Sequence, residues 1–161
     1  MSLITGPRQI AIITTRAKIK NKLKDNAITV AWHSQLSFDP YLYGIIIGKT
    51  RYSYELINKS KIFCVNFISS KLKDLALFFG RTSGRNINKL EKVDVEKCKK
   101  IDCLKLKNAL AWLECKVIKK IDVGDHCLFV GEVLNEEINK NYKIEREKRI
   151  FHVYGNFFKI F

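Results

Sequence analysis

Apolar positions in this chain gather in runs of strand length or alternate with polar ones, and helical spacing is confined to two short stretches. Residues 8–16 (Arg-Gln-Ile-Ala-Ile-Ile-Thr-Thr-Arg) predict a buried strand. A Lys/Asn-rich loop is expected next, then a second strand over 26–32 (Asn-Ala-Ile-Thr-Val-Ala-Trp), rich in β-branched residues. Ser37-Phe38-Asp39-Pro40 predicts a turn, 41–47 a third strand, 52–58 a short helix and 62–67 another strand. Leu72, Leu75, Ala76 and Phe79 recur at helical spacing, with Gly80 expected as the C-terminal cap. Residues 81–108 read as loop and short helix. Leu113, Cys115 and Val117 then alternate with Glu114 and Lys116, predicting a half-exposed strand. Gly124-Asp125-His126 reads as a turn, and strands are expected over 127–133 and 149–154. Six or seven strands, few helices and no regular strand-helix alternation predict a mainly β fold, an antiparallel barrel or sandwich.

The chain has 161 residues, the length of one domain, so residues 1–161 are expected to form a single unit. With 47% hydrophobic residues it can build a core. No apolar run approaches the roughly 18 residues of a membrane span. Residues 1–8 lack the basic-then-apolar layout of a secretion signal, and five cysteines without C-x-x-C spacing suit a reducing compartment. A cytoplasmic protein without membrane association is expected. Thirty Lys+Arg against 16 Asp+Glu give a net charge of +14, which raises nucleic acid as a first partner class.

Several motifs fail on spacing. Gly44-Ile-Ile-Ile-Gly48-Lys49-Thr50 stands where a P-loop would, but three residues separate the glycines and a phosphate cradle needs four. No G-x-G exists for a Rossmann turn, and no G-x-S-x-G for a nucleophile elbow. Structural zinc takes close cysteine pairs; Cys98 and Cys103 make one C-x₄-C pair in a Lys-rich loop, while Cys115 and Cys127 sit at core positions of strands where free cysteine acts as a small hydrophobe, so no metal is expected.

Two basic, hydroxyl-rich clusters carry more. Lys49-Thr50-Arg51-Tyr52-Ser53 lies where a strand runs into a helix N-terminus, a favourable place for a phosphate monoester. Arg81-Thr82-Ser83-Gly84-Arg85, followed by Lys89, repeats the chemistry around a glycine. Either alone reads as solvated surface; two in one small domain favour a phosphate site.

In chain order, further fragments accompany these clusters: Gly6-Pro7-Arg8, Thr14-Thr15, Asn26 to Trp32, Ser37 to Pro40, Arg51 to Ile57, Phe63-Cys64-Val65-Asn66, Ser83-Gly84-Arg85 with Lys89, Leu113-Glu114-Cys115, and Gly124-Asp125-His126-x₄-Gly131-Glu132-Val133. Over about residues 6–158 the chain thereby resembles the flavin reductase-like family, which has the FMN-binding split β-barrel fold and includes flavoredoxin-type proteins. The resemblance implies a Greek-key antiparallel barrel with a few short helices, a homodimer, and FMN as cofactor. It assigns the isoalloxazine edge to the backbone around Asn26, Ala27, Thr29, Ala31 and Trp32, and the phosphate to Lys49, Arg51, Ser53, Ser83, Arg85 and Lys89. It links Asp125 and His126 to NADH or NADPH binding and hydride transfer. That chemistry belongs to the cofactor and asks the protein chiefly for position.

The implied activity is an NAD(P)H-dependent flavin or ferric reductase passing electrons to free flavin, iron or a protein acceptor. Three alternatives stay open: an FMN electron carrier that never uses nicotinamide, a related barrel with another cofactor, and a basic barrel stacking nucleic-acid bases on Tyr41, Tyr43, Tyr52 and Tyr54. The resemblance favours a mononucleotide over a nucleic acid.

Overall fold

The computed structural model describes residues 3–161. Its main element is a seven-stranded antiparallel sheet built from β2 (Ala11–Ile19), β3 (Lys22–Val30), β4 (His33–Ser37), β5 (Leu42–Gly48), β6 (Ile62–Phe67), β9 (Ala111–Val123) and β10 (His126–Ile138). The order across it is β3-β2-β6-β9-β10-β5-β4. Its two outermost strands, β3 and β4, are consecutive in the chain and joined only by Ala31 and Trp32, so the sheet curls until its edges meet. There the Ile46 N–H donates to Trp32 O at 2.9 Å. A short β1 (Arg8–Gln9) pairs with a C-terminal hairpin of β11 (Ile150–Tyr154) and β12 (Phe157–Ile160); β7 (Val95–Lys97) and β8 (Leu104–Leu106) form a separate ribbon. The helices are α1 (Tyr52–Ser60) and α2 (Lys73–Arg81).

The expected Lys/Asn-rich loop is instead a tight hairpin. Lys20 and Asn21 both take positive φ (46° and 59°), the geometry of a two-residue turn matched to strand twist, and β2 and β3 pair from Ala11↔Val30 to Ile19↔Lys22. The lysines there lie at the exposed distal end of the hairpin. Residues 82–108 contain no helix: the ribbon of β7 and β8 replaces the expected one. Gly80 lies within α2, which ends at an extended Thr82, so it is no cap. A Cβ there would make only an ordinary contact, 3.6 Å from Thr29 Cβ.

β9 is not half-exposed over 111–115; every residue there is buried, including Glu114. The strand is covered on both faces. Ile10, Ile12, Cys64, Ala76, Phe79 and Trp112 pack on the side of α2, while Ala11, Ile13, Phe63, Val65, Leu113 and Cys115 fill the barrel. Alternate residues of one strand thus enter different cores, and alternation disappears.

Candidate functional site

Two adjoining cavities open where α2, the start of α1 and the edge strand β3 meet. The first, about 340 Å³, is lined by Ile28 to Trp32, the end of β5 at Ile46–Gly48, Ala76, Leu77, Gly80 and Arg81 of α2, His126, and four residues of the C-terminal hairpin: His152, Gly155, Asn156 and Phe158. This falls within the usual range of ligand pockets. The second, about 180 Å³, is lined by Asn26, Thr50 to Ser53, Phe79 to Gly84 and Lys89. Ile28, Arg51, Gly80 and Arg81 border both, so the two form one elongated cleft.

The second cavity suits an anion. Helix α1 begins beside it with Arg51 as N-cap and no side-chain cap; the Tyr54 N–H turns back to Arg51 O at 3.0 Å, which leaves the N–H groups of Tyr52 and Ser53 for a ligand. Arg51, Arg81 and Lys89 contribute positive charge, and among the described residues no carboxylate lines the cavity. Lys89 is buried, donating to Phe79 O at 3.0 Å and Thr82 O at 2.8 Å. Burial, aided by the neighbouring Arg51 charge, lowers its pKa to about 8. An anion here offsets both causes by favouring the charged ammonium. Ser53, also buried, accepts from Asn26 Nδ2 at 2.8 Å, and Gly84 packs over the other end of that amide.

The first cavity suits a ring with polar edges. Trp32 Nε1, a donor, and His152 Nδ1, an acceptor, are buried without partners. His152 Nε2 faces Gly155 O at 2.8 Å, which leaves Nδ1 for a ligand donor. β3, an edge of the sheet, keeps one row of backbone groups outside the strand ladder. At the rim His126 stands 4.8 Å from the Trp32 ring, centroid to centroid, and its Nδ1 lies 2.7 Å from Asp125 Oδ1. That contact holds the Asp125 carboxyl below the usual carboxylate range.

The sequence-assigned residues divide. Thr29, Ala31, Trp32 and His126 line the first cavity; Asn26, Ser53, Ser83 and Lys89 line the second; Arg51 lines both. Ala27 is buried in the core and Asp125 reaches the site only through His126. Lys49 turns toward Asp122, 3.6 Å away, and Arg85 pairs with both carboxylate oxygens of Glu55 while covering the Tyr52 ring. Neither lines the cleft. Arg81 and the C-terminal hairpin were not among the assigned residues. The hairpin had a signal, Gly155-Asn156 between two aromatic-rich runs. Of the four tyrosines considered as stacking platforms, Tyr43 is buried and bonded to His33 Nδ1 at 2.7 Å, so it offers no face to a base. No helix among the described residues is long and apolar enough to cross a membrane.

A sequence profile described as "Flavin reductase like domain" matches residues 4–154. The chain belongs to the flavin reductase-like family. An uncharacterized protein of Archaeoglobus fulgidus is 39% identical over 114 residues, 70% of this chain and 64% of that protein. A ferric-chelate reductase (NAD(P)H) of the same organism is 30% identical over 68% of this chain and 66% of its own length. The matched stretches span 64%, 63% and 40% of the first three such relatives. Among solved structures, an FMN-binding protein from Thermus thermophilus with bound p-hydroxybenzaldehyde superposes with a TM-score of 0.88 at 24% identity, covering 99% of this chain and 89% of that one. The flavoredoxin of Methanosarcina acetivorans gives 0.79 at 21% identity, covering 94% and 87%. These likenesses show that the fold is that of FMN-binding flavin reductase-like proteins.

Proposed function

We propose that this protein binds FMN in the two-part cleft and uses it to reduce an acceptor with electrons from NADH or NADPH. The observation that carries this reading is the cleft itself, a cationic, carboxylate-free end at an uncapped helix N-terminus joined to a ring-sized end with an orphan donor and an orphan acceptor. The residues fit the cofactor at both ends. Arg51, Arg81, Lys89 and the start of α1 would hold the phosphate, with charge-assisted bonds about twice as strong as neutral ones. Trp32 Nε1, His152 Nδ1 and the free edge of β3 would meet the polar edges of the ring. Bound FMN supplies the two-electron acceptor for hydride from a reduced nicotinamide. His126, steadied by Asp125 at the open rim, would orient the nicotinamide carboxamide or a pyrophosphate oxygen. The C-terminal hairpin forms one wall of the cleft.

The acceptor is a free flavin, ferric iron or a partner protein. Relatives named as the ferric-chelate reductase above and as the reductase component of a flavin-dependent monooxygenase from Acinetobacter baylyi support that range. A homodimer in solution belongs to the same reading, and sedimentation measures it. The deciding experiment adds FMN to purified protein and then, without oxygen, NADH or NADPH. Bleaching of the bound-flavin band by either is expected. Bound flavin that neither bleaches, but that dithionite does, replaces the reductase with an electron carrier; failure to bind FMN removes both. In His126→Asn, bleaching slows while FMN affinity holds.

A further inference from the structure

Away from the cleft, Cys98 and Cys103 face each other at the end of the ribbon formed by β7 and β8, with Cys64 in the same core cluster. Cys98 and Cys103 follow the last pair of that ribbon, Lys97↔Leu104, and the Cys98 N–H donates to Cys103 O at 2.9 Å. They therefore stand opposite one another across the strands, where Cα atoms are roughly 5.5 Å apart, inside the range a disulfide spans. Cys98 packs against the buried cluster that contains Cys103 and Cys64 of β6. Cys98 is partly exposed, whereas Cys64 and Cys103 are buried.

The intervening loop is held in place. The buried Glu114 carboxylate accepts from Lys99 N at 2.9 Å and Lys100 N at 2.6 Å, and Asp102 receives Arg16 at 3.0 Å. Cys98 and Cys103 are thus presented by a braced turn. The groups around Cys98 are the Cys103 and Cys64 thiols, the Glu114 carboxylate and the Lys105 ammonium, the Cys103 and Cys64 sulfurs themselves facing the carbonyls of Leu104 at 3.4 Å and Val65 at 3.9 Å. The neighbouring Cys103 and Cys64 thiols hold the Cys98 thiol below its ordinary range, and burial pushes Cys64 and Cys103 up. Such a division equips one sulfur to attack and a neighbour to resolve. Among the described residues no group of three or more His, Cys, Asp or Glu side chains is arranged to hold a metal ion.

We propose that Cys98 and Cys103 form a peroxide-oxidised disulfide site, with Cys98 as the attacking and Cys103 as the resolving thiol. The Cys98 thiolate attacks one oxygen of hydrogen peroxide, the O–O bond breaks, and hydroxide leaves and is protonated to water, giving a sulfenic acid. The Cys103 sulfur then attacks the Cys98 sulfur; the S–S bond forms, the S–O bond breaks, and hydroxide departs with the Cys103 proton as the second water. Two thiols lose two electrons, and one peroxide becomes two waters. Reduced flavin in air generates peroxide, but this site stands whether or not the cleft holds FMN.

The test treats flavin-free, full-length protein with one equivalent of hydrogen peroxide. Free thiols counted in denaturant are expected to fall from the five present to three. Trypsin cuts after Lys97, Lys99, Lys100 and Lys105, so the disulfide should join the peptide Cys98-Lys99 to the peptide 101–105, two hydrogens lighter than their sum. In Cys103→Ser a sulfenic acid should persist at residue 98 and be trapped by a 1,3-dione; in Cys64→Ser the cross-link should form as before. Alkylation at pH 5.5 should modify Cys98 on the order of tenfold faster than an ordinary thiol. A cross-link from Cys98 to Cys64, retention of all five thiols, or loss of the Cys98–Cys103 cross-link in a folded Cys64→Ser protein overturns the proposal.

Discussion

At the scale of single residues, the cations of the cleft differ in what else they hold. Arg51 borders both cavities, whereas Lys49, two positions away, is drawn to Asp122. Replacing Arg51 with Ala is expected to weaken FMN binding about 10- to 100-fold, the worth of a hydrogen bond to a charged group, while Lys49→Ala stays within about twofold. Fluorescence titration measures both. Lys89 adds a pH signature. Its ammonium is disfavoured in the free protein, with a pKa of about 8 against an ordinary value of about 10.4, so between these values the unfolded chain binds more protons. Stability of the flavin-free protein therefore rises with pH across that window, and the penalty is fully present below it. A phosphate beside Lys89 favours the charged form, so binding takes up a proton above about pH 8. The FMN dissociation constant is expected to rise about tenfold from pH 7 to 9, with riboflavin, which lacks the phosphate, unaffected. In Lys89→Met the slope should vanish.

At the scale of elements, glycines set how closely strands and loops approach. A Cβ at Gly84 would overlap Asn26 Oδ1, and the amide cannot swing away because Ser53 holds its nitrogen at 2.8 Å. Gly84→Ala should move the 82–84 loop off β3, costing about 1–3 kcal/mol and weakening FMN binding at least about tenfold. A Cβ at Gly131, which lies at a register shift of β10, would stand 2.6 Å from Phe63 Cζ and 2.8 Å from Cys115 Cβ. It borders neither cavity, so Gly131→Ala should lower the unfolding midpoint in urea by a similar energy while leaving FMN affinity intact. The same contacts explain what the sequence made legible. Strands β5 and β6 and both helices announced themselves through apolar runs and helical spacing. The β2–β3 hairpin did not, because its polar tip projects into solvent and its turn uses Lys-Asn in place of a glycine pair. Glu114 did not, because its carboxylate is satisfied by backbone N–H groups of a distant loop. Both basic clusters contribute residues to the cationic end of the cleft. Which of their cations turn inward was decided by Asp122 and Glu55 on other elements.

At the scale of the whole molecule, the +14 charge surrounds a cleft that directly uses three cations. Twenty-three of the 30 basic residues are lysines spread along the chain, so most contribute field and few contribute contacts. A diffuse field acts on the rate of encounter more than on the lifetime of a complex. At about 0.01 M salt the screening length is roughly 30 Å, and an approaching phosphate dianion senses much of the protein; at about 0.1 M it is roughly 10 Å, and only nearby charges act. Stopped-flow binding of FMN should therefore show an association rate falling about tenfold between these salt concentrations, with a dissociation rate that changes much less. Riboflavin carries the same ring and ribityl chain without the charge, so its association rate should be nearly flat. An equal salt slope for the two flavins would mean that the phosphate plays no part in steering. A slope for FMN confined to dissociation would assign the salt effect to Arg51, Arg81 and Lys89 at the site instead of to the surrounding lysines.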